Sequence, residues 1–348
     1  MAALPPLPPA DLAHARAVVG GERWQKLQGQ HLFLTGGTGF IGKWLLATLL
    51  DANTHHQLGC RVTVLTRNPQ AFRTEVPHLA DAAGVELIAG DVRHLNLGER
   101  HVDRIVHAAT DVAAAASDSE TFDTCVQGTR QVLELARRCQ ASLLLVSSGA
   151  VYGNQAPDIP ALREDHPVPA EPVHAASGYT AGKRAAEWLA HAHAREHGLD
   201  LKIARCFAFV GPYLPLDKHF AIGNFLRDAL AGQPITIQGN GTPLRSYLHA
   251  ADMAAWLWAI LLEGHPLGIY NVGGDEALSI RQLAERVVNA TGSASVVHVL
   301  QPPAAGTPAA RYVPDVSKVK AELALTEPIG LDDALRRTAA WHASTTRR

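Results

Sequence analysis

A glycine-rich loop near the start of the chain restricts its fold more than any other feature. The sequence Thr35-Gly-Gly-Thr-Gly-Phe-Ile-Gly42 follows an apolar run at residues 31–34, which predicts a buried strand, and precedes one at residues 43–50, which predicts a helix. Its glycines have the spacing GxxGxxG. A strand, a glycine turn and a helix N-terminus together bind a pyrophosphate, because the backbone approaches it closely and free N–H groups point at it. The loop therefore predicts a dinucleotide-binding fold.

The same loop also matches part of a nucleoside triphosphate site. Residues 37–43 fit the first seven positions of a P-loop, GxxxxGK, but the next residue is Trp44, where a P-loop has a Ser or Thr that ligates magnesium. A plain turn without a ligand is also disfavoured, because four glycines in seven residues cost conformational entropy. The dinucleotide interpretation is the favoured one.

Apolar strands alternate with helical patterns along the first 205 residues. Near-continuous apolar strands between helices indicate a parallel sheet that is covered on both faces. We predict an α/β fold, with a Rossmann-like doubly wound parallel sheet and a smaller C-terminal substrate-binding α/β region. Beyond residues 31–34, strands are predicted at residues 61–66, 85–89, 104–108, 142–147 and 201–205, and helices at residues 11–27, 119–140 and 179–197.

The domain boundaries follow from where this pattern changes. Residues 1–29 form a helical N-terminal extension, and residues 30–205 form the dinucleotide-binding domain. From residue 206 prolines, glycines and short segments predict a substrate-binding region, which comprises residues 206–247 and 275–348. Residues 248–274 are expected to return to the first domain.

Composition predicts a cytoplasmic enzyme. The 348 residues carry a net charge of −2, which points to neither a nucleic-acid nor a membrane partner. The longest apolar stretch, residues 254–262, is too short to span a bilayer, and no signal peptide opens the chain. The cysteines show no paired spacing, as expected for reduced thiols; they are Cys60, Cys125, Cys139 and Cys206.

A tyrosine and a lysine predict the chemistry. Tyr179 and Lys183 have the spacing YxxxK, which places both side chains on one face of a helix. A lysine ammonium beside a tyrosine hydroxyl favours the phenolate, so we expect Lys183 to lower the pKa of Tyr179 toward neutrality. Such a tyrosine can exchange a proton with a sugar or steroid hydroxyl during hydride transfer.

Several further motifs accompany these two. They are Asp91-Val-Arg93, His107-Ala-Ala109, Ser147-Ser-Gly-Ala-Val-Tyr-Gly153 and Arg245-Ser-Tyr-Leu-His249. Together and in this order they resemble the extended short-chain dehydrogenases/reductases, and more narrowly the NAD(P)-dependent nucleotide-sugar epimerase/dehydratase family. The resemblance implies a Rossmann domain, a C-terminal domain that binds a nucleoside-diphosphate sugar, and a homodimer built on helices 119–140 and 179–197.

The resemblance also implies roles for individual residues. The catalytic residues would be Ser148, Tyr179 and Lys183, although Ser148 alone could simply cap the next turn. Besides Tyr179 and Lys183, the cofactor-binding residues would be Gly36, Gly39, Phe40, Ile41, Gly42, Arg67, Asp91, Val92, Ala108 and Ala109. The substrate-binding residues would be Ser148, Asn224 and Arg245, of which Arg245 would clamp the diphosphate. His219, Asn224 and Gln238 could equally be surface residues, and nothing identifies the nucleotide base.

The departures from the family pattern narrow the reaction. Related 4,6-dehydratases have an Asp-Glu pair directly after the Ser148 position, and related decarboxylases keep a Glu there. This chain has Gly149 and Ala150, which can transfer no proton. Relatives also usually have Asn at the position of Ala208, which indicates a changed substrate contact. We therefore expect reduction of a nucleotide-linked 4-keto-6-deoxyhexose in deoxysugar biosynthesis. A 4-epimerase with retained NAD is the alternative, and a dehydratase or a non-catalytic dinucleotide sensor is less favoured.

The end of the second strand bears on the cofactor. NAD-using relatives have an Asp there, which accepts hydrogen bonds from the adenosine ribose. This chain has Arg67, whose guanidinium can pair with a 2′-phosphate, so we predict NADP with NAD as the alternative. Arg67 could also stack on the adenine or face water. Asp91 matches the adenine-contacting position, or it caps the following turn.

A metal is not expected. His193-Ala-Arg-Glu-His197 matches the zinc signature HxxEH, with His191 nearby. These histidines precede Gly198, so the solvated end of a helix explains them better than a zinc site.

Overall fold

The computed structural model describes residues 3–110, 117–168, 177–218, 220–302, 306, 308–325 and 328–346. The strands are β1 His31–Thr35, β2 Arg61–Thr66, β3 Val85–Ala89, β4 Arg104–His107, β5 Ser142–Ser148, β6 Leu201–Cys206, β7 Phe209–Val210, β8 Ile235–Ile237, β9 Leu244–Arg245, β10 Leu248–His249, β11 Gly268–Val272, β12 Leu278–Ser279, β13 Val297–Val299 and β14 Arg311–Tyr312.

The helices lie between and after these strands. They are α1 Pro9–Val19, α2 Gly21–Gln25, α3 Phe40–His56, α4 Pro69–Glu75, α5 Pro77–Ala80, α6 Asp118–Cys139, α7 Gly178–His197, α8 Ala221–Leu230, α9 Ala250–Glu263, α10 Ile280–Thr291, α11 Ser317–Leu323 and α12 Leu331–Thr346. Within the described ranges, each helix is too short or too polar to cross a bilayer.

A seven-stranded parallel sheet forms the centre of the protein. Its order is β11-β6-β5-β4-β1-β2-β3, and both faces are covered by helices. The chain runs outward from β1 to β3 and then returns to β4, so the winding direction reverses between β1 and β4. A doubly wound sheet opens a ligand crevice at such a point, beyond the carboxyl ends of the strands. The predicted fold class is confirmed, and the predicted strands agree with the observed ones to within one residue.

One predicted helix is wrong. We expected a single helix over residues 11–27, but α1 ends at Val19 and α2 begins at Gly21. Gly20 between them has a φ of 85°, a left-handed conformation that an α-helix cannot contain and that glycine adopts readily.

The N-terminal extension packs into the body of the protein. Helix α1 lies against α3 and α9, and Trp24 packs on Trp258 with ring centroids 5.6 Å apart. Two polar contacts also hold α1: His14 bonds Asp252 of α9 at 2.6 Å, and Arg337 of α12 donates to the buried Asp11 at 2.7 Å. The extension is therefore part of the hydrophobic core.

Helix α7 is defined at both ends by local chemistry. The Ser177 side chain accepts a hydrogen bond from the Thr180 N–H at 3.2 Å, which satisfies one of the free donors of the first turn. Gly198 ends the helix with a φ of 65°. Tyr179 is therefore held in the first turn of α7, with Lys183 one turn later.

The C-terminal region covers the crevice. Helices α8, α10 and α12 pack together around their own apolar core. Three small sheets accompany them, in the orders β12-β9-β14, β13-β8 and β10-β7. Strand β11 instead joins the edge of the main sheet beside β6.

The His107 side chain links the central strands β4 and β1. A 2.7 Å hydrogen bond joins its Nδ1 to Thr35 Oγ1 on β1, and its Nε2 lies 3.2 Å from Thr129 Oγ1 on α6. Burial, assisted by the Lys183 ammonium, lowers the pKa of His107 from 6.5 to about 3. The unfolded chain therefore binds a proton below pH 6.5 that the folded chain refuses until about pH 3, and this part of the stability is lost as the pH falls through that window.

We expect His107 to account for about 2 kcal/mol of the stability lost between pH 7 and pH 5. Urea unfolding of His107→Asn at the two pH values should show lower stability throughout and a pH dependence smaller by that amount. His298→Gln, at an exposed position on β13, should keep the wild-type pH dependence. A His107→Asn protein with the wild-type pH dependence would contradict the prediction.

Candidate functional site

A cavity of about 850 Å³ lies at the carboxyl ends of the central strands. Its wall includes the loops that follow β1 to β4 and the last residues of β5, and residues of β9 and β14 close it from the C-terminal region. Of the cofactor residues predicted from the sequence, Gly36, Gly39, Phe40, Ile41, Gly42, Arg67, Asp91, Val92, Ala108, Ala109, Tyr179 and Lys183 all line it. Ser148 and Arg245 line it as well.

The glycine loop forms a cradle that only glycine can build. Gly36 has a φ of 71°, and a Cβ there would lie 2.4 Å from the Ala108 carbonyl oxygen. A Cβ on Gly42 would lie 2.2 Å from the Gly36 carbonyl oxygen. Helix α3 begins at Phe40, so the free N–H groups of its first turn lie at this loop, which lines the cavity. The cradle fits the pyrophosphate of a dinucleotide.

The side chains after the cradle face away from it, which disfavours the P-loop interpretation. Lys43 is buried and pairs with Glu75, and its ammonium lies 5.7 Å from the centroid of the Tyr213 ring. The Trp44 indole donates to the Pro212 carbonyl oxygen at 2.8 Å. Lys43 therefore cannot serve as a P-loop lysine.

Two arginines lie at the end of the cavity where an adenosine would be bound. Arg67 follows β2, and the next residue, Asn68, caps α4 by accepting from the Ala71 N–H at 2.9 Å. Asp91 accepts two hydrogen bonds from the Arg93 guanidinium, at 3.0 and 2.7 Å, and this bond lowers the pKa of Asp91 to about 2. Asp91 also caps the turn that follows it, at 2.9 Å, so it both lines the cavity and acts as a cap.

Ser148, Tyr179 and Lys183 meet at the other end of the cavity. Ser148, the last residue of β5, interacts with the hydroxyl of Tyr179. It also caps the next turn by accepting from the Ala150 N–H at 3.1 Å. Lys183 is buried, and its ammonium donates to the Val146 carbonyl oxygen at 2.8 Å.

The expectation that Lys183 lowers the pKa of Tyr179 is wrong for this structure. The ammonium lies 5.9 Å from the centroid of the tyrosine ring and is directed at Val146. Burial raises the pKa of Tyr179 to about 12, although the interaction with Ser148 opposes the rise. Tyr179 therefore carries its proton at neutral pH and can act as a proton donor.

Buried charges anchor the helix that carries Tyr179. Glu187 lies two turns after Tyr179, and its carboxylate receives a hydrogen bond from the Arg205 guanidinium of β6 at 2.8 Å. Ser147 of β5 donates to the same carboxylate at 2.5 Å. Because both charges are buried and paired, loss of either one would strand its partner. These bonds fix α7 against the strands that carry Ser148.

The position after Ser148 is closed by aromatic residues that the sequence did not reveal. A Cβ on Gly149 would lie 2.6 Å from the Tyr312 hydroxyl oxygen and 2.7 Å from Cζ of Phe207. No recognised motif marks Phe207 or Tyr312, and Tyr312 comes from a two-residue strand far along the chain. An acidic side chain cannot fit at residue 149 unless these rings move.

Carboxylates lie only at the far end of the cavity. Among the described residues that line it, the carboxylates are Asp91 and Glu120, and both interact with Arg93. Asp91 follows β3 whereas Ser148 ends β5, four strand spacings or roughly 19 Å away. At the end of the cavity near Ser148, the acid–base groups of the lining are therefore the phenols of Tyr179 and Tyr312, the amine of Lys183 and the thiol of Cys206.

The substrate residues predicted from the sequence are only partly brought together. Arg245 lines the cavity, and its guanidinium lies 5.8 Å from the centroid of the Tyr312 ring. Asn224 is not part of the lining, because its position on α8 directs its amide oxygen to Arg227 at 3.4 Å. His219 lies outside the described residues.

The HxxEH histidines have structural contacts. His193 bonds Glu134 of α6 at 3.1 Å, and the His193 and His197 rings lie 4.4 Å apart. In the part of the chain that the structure describes, no group of three side chains could hold a metal ion.

Comparison with known proteins gives a consistent result. The profile of the NAD dependent epimerase/dehydratase family matches residues 32–273. UDP-glucuronic acid decarboxylase 3 of Arabidopsis thaliana is 31% identical over 309 residues, 87% of this chain and 86% of that protein. The dTDP-glucose 4,6-dehydratase of Streptomyces niveus is 30% identical over 321 residues, 89% of this chain and 92% of that protein. The crystal structure of DesIV, a dTDP-glucose 4,6-dehydratase from Streptomyces venezuelae with NAD and TYD bound, has a TM-score of 0.77 at 28% identity and covers 91% of this chain and 98% of its own.

Proposed function

The chain belongs to the NAD-dependent epimerase/dehydratase family, and from that premise we propose that it reduces a nucleoside-diphosphate-linked 4-keto-6-deoxyhexose with NADPH. The enclosed Gly149 is the observation that carries this choice of reaction. The Tyr312 hydroxyl and the Phe207 ring fill the position, so residue 149 cannot carry a carboxylate unless these groups move.

This feature separates the proposed reaction from those named for its relatives. Loss of water or carbon dioxide from a sugar requires proton transfer at a carbon next to the ketone. The dehydratases and decarboxylases of the family are similar in having acidic residues for this proton transfer. In this chain the corresponding residues are Gly149 and Ala150. A 4-ketone reduction requires only a hydride at carbon and a proton at oxygen, which suits a site without a carboxylate.

Each residue of the cluster has a distinct task in such a reduction. When bound, a nicotinamide dinucleotide supplies the hydride. Tyr179, which holds its proton at neutral pH, donates that proton to the carbonyl oxygen. Ser148 orients the same oxygen, and Lys183, which the family resemblance places at the nicotinamide ribose, would hold the cofactor. The ketone thus gains one hydride and one proton and becomes an alcohol.

Charge at the end of β2 supports NADP as the cofactor. Within the described residues at that strand end, Arg67 and Asn68 stand where a carboxylate would repel a 2′-phosphate. Arg67 lines the cavity, and Arg93 lies at the same end. A guanidinium pairs well with phosphate oxygens because its N–H groups form a planar fork.

We also propose that two copies associate through α6 and α7. The two helices pack side by side, and the Trp188 side chain on the outer face of α7 is 74% exposed. Phe122 on α6 is also exposed. Exposed aromatic side chains on two helices that pack together suit a surface that a second copy would cover.

The proposed reaction is tested by consumption of NADPH. Wild-type protein is mixed with NADPH and 4-keto-6-deoxyhexoses linked to thymidine, uridine, guanosine or cytidine diphosphate. We expect NADPH to be lost in step with product for one preferred nucleotide. Tyr179→Phe should lower kcat by roughly 10²–10⁴-fold, because the proton donor is removed. Tyr270→Phe is the matched control, because the Tyr270 hydroxyl bonds Glu322 and does not line the cavity.

Two outcomes would contradict this proposal. The first is full turnover by Tyr179→Phe. The second is that no ketone consumes NADPH while sugars interconvert without added cofactor. The second outcome would identify an epimerase.

Cofactor choice is tested by replacement of Arg67. We expect Arg67→Ala to weaken NADPH binding by about 10–100-fold, the value of a charge-assisted hydrogen bond, and to leave NADH binding unchanged. Arg61→Ala is the control, since it removes the same charge at the opposite end of the same strand. Calorimetric titration measures both affinities. An equal loss for the two cofactors would remove the argument for NADP.

A further inference from the structure

Tyr312 is held rigidly at the reacting end of the cavity. It lies in β14, which pairs with β9. Its ring packs on Phe207 with centroids 4.6 Å apart, and the Arg245 guanidinium lies 5.8 Å from the ring centroid. These contacts hold the ring from two sides, so the position of its hydroxyl is set by the fold.

The Tyr312 hydroxyl lies beside the same strand end as Tyr179. Both tyrosines and Ser148 line the cavity, and although burial raises the pKa of both phenols, an interaction with Ser148 opposes the rise in each. The Tyr312 oxygen also lies 2.6 Å from where a Cβ of Gly149 would stand, so it occupies the space directly beside the catalytic strand end. Ser148 thus lies near two phenols, one from α7 and one from β14.

We propose that Tyr312 is a positioning residue, whose hydroxyl donates to Ser148 and thereby directs the Ser148 proton toward Tyr179 and the substrate oxygen. A hydroxyl that accepts one hydrogen bond becomes a stronger donor in the next. When Tyr179 gives its proton to the substrate oxygen, the resulting phenolate accepts from Ser148. Ser148 and Tyr312 keep their own protons, so the step moves one proton only.

The same contact explains why residue 149 is glycine. A side chain there would displace the Tyr312 hydroxyl and disrupt its interaction with Ser148. Because Gly149 has no side chain, the space beside it is open to the Tyr312 hydroxyl, which occupies it. The inference depends on the proposed function only for the identity of the substrate.

The kinetic test is a double-mutant cycle with Ser148. Tyr312→Phe keeps the ring contacts with Phe207 and Arg245 and removes only the hydroxyl. We expect kcat to fall by about tenfold, the value of one hydrogen bond, with KM unchanged. In a Ser148→Ala background the same replacement should have no further effect, because Tyr312 acts through Ser148. Tyr270→Phe should leave kcat and KM at wild-type values.

A second cycle needs no substrate or cofactor. Urea unfolding of the ligand-free protein is compared for wild type, Ser148→Ala, Tyr312→Phe and the double variant. We expect the double variant to lose less stability than the sum of the single losses, because one hydrogen bond is broken in all three. Tyr270→Phe combined with Ser148→Ala should instead be additive.

The two cycles separate failure of this inference from failure of the proposed function. If wild type reduces no ketone, the kinetic cycle is run on whichever reaction it catalyses, and the unfolding cycle is unaffected. Additive kinetics would overturn the inference even with coupled stability, since Tyr312 would then be structural only. Additive stability, or a Tyr312→Phe protein with wild-type kcat, would overturn it as well.

Discussion

The close approach of two backbone segments at the centre of the sheet determines where everything else lies. The loop after β1 lies so near the end of β4 that a Cβ on Gly36 would meet the Ala108 carbonyl oxygen at 2.4 Å. The bond between Thr35 and His107 holds the two strands in this arrangement. Since the winding reverses here, the cavity can form only above this contact.

The chemistry depends on a second fixed element, the helix α7. Its first turn carries Tyr179, its second carries Lys183, and its third carries Glu187, which is locked to Arg205 in the sheet. The helix therefore presents its functional side chains on the face that is anchored. Burial on this face keeps Tyr179 protonated, which is the state that a proton donor requires.

The sequence predicts the fold well, and the residues it marks as cofactor-binding all line one cavity, because both depend on local patterns. The glycine spacing indicates close backbone contacts within one short loop, and the YxxxK spacing indicates two side chains one helical turn apart. Gly20, which separates α1 from α2, is also a local feature, but the helix predicted over residues 11–27 runs through it.

The reacting end depends on contacts between distant segments, and here prediction was incomplete. The absence of acidic residues at 149 and 150 could be read directly, but the phenol that fills the space comes from β14. The direction of the Lys183 ammonium, which changes its effect on Tyr179, depends on the Val146 carbonyl oxygen of a neighbouring strand. Neither contact leaves a periodic pattern in the chain.

The central claim is that this site delivers a hydride to carbon and a proton to oxygen, and transfers no proton at carbon. The most direct measurement is the reduction of an accepted nucleotide-linked ketone in D₂O, with unlabelled NADPH and an enzyme-free control, followed by NMR of the product. We predict that carbon-bound deuterium is absent from the product beyond the level of spontaneous exchange in the control. Enzyme-dependent deuterium on a carbon next to the former carbonyl would contradict the claim, because it would require an acid–base group of the kind that Gly149 and Tyr312 exclude.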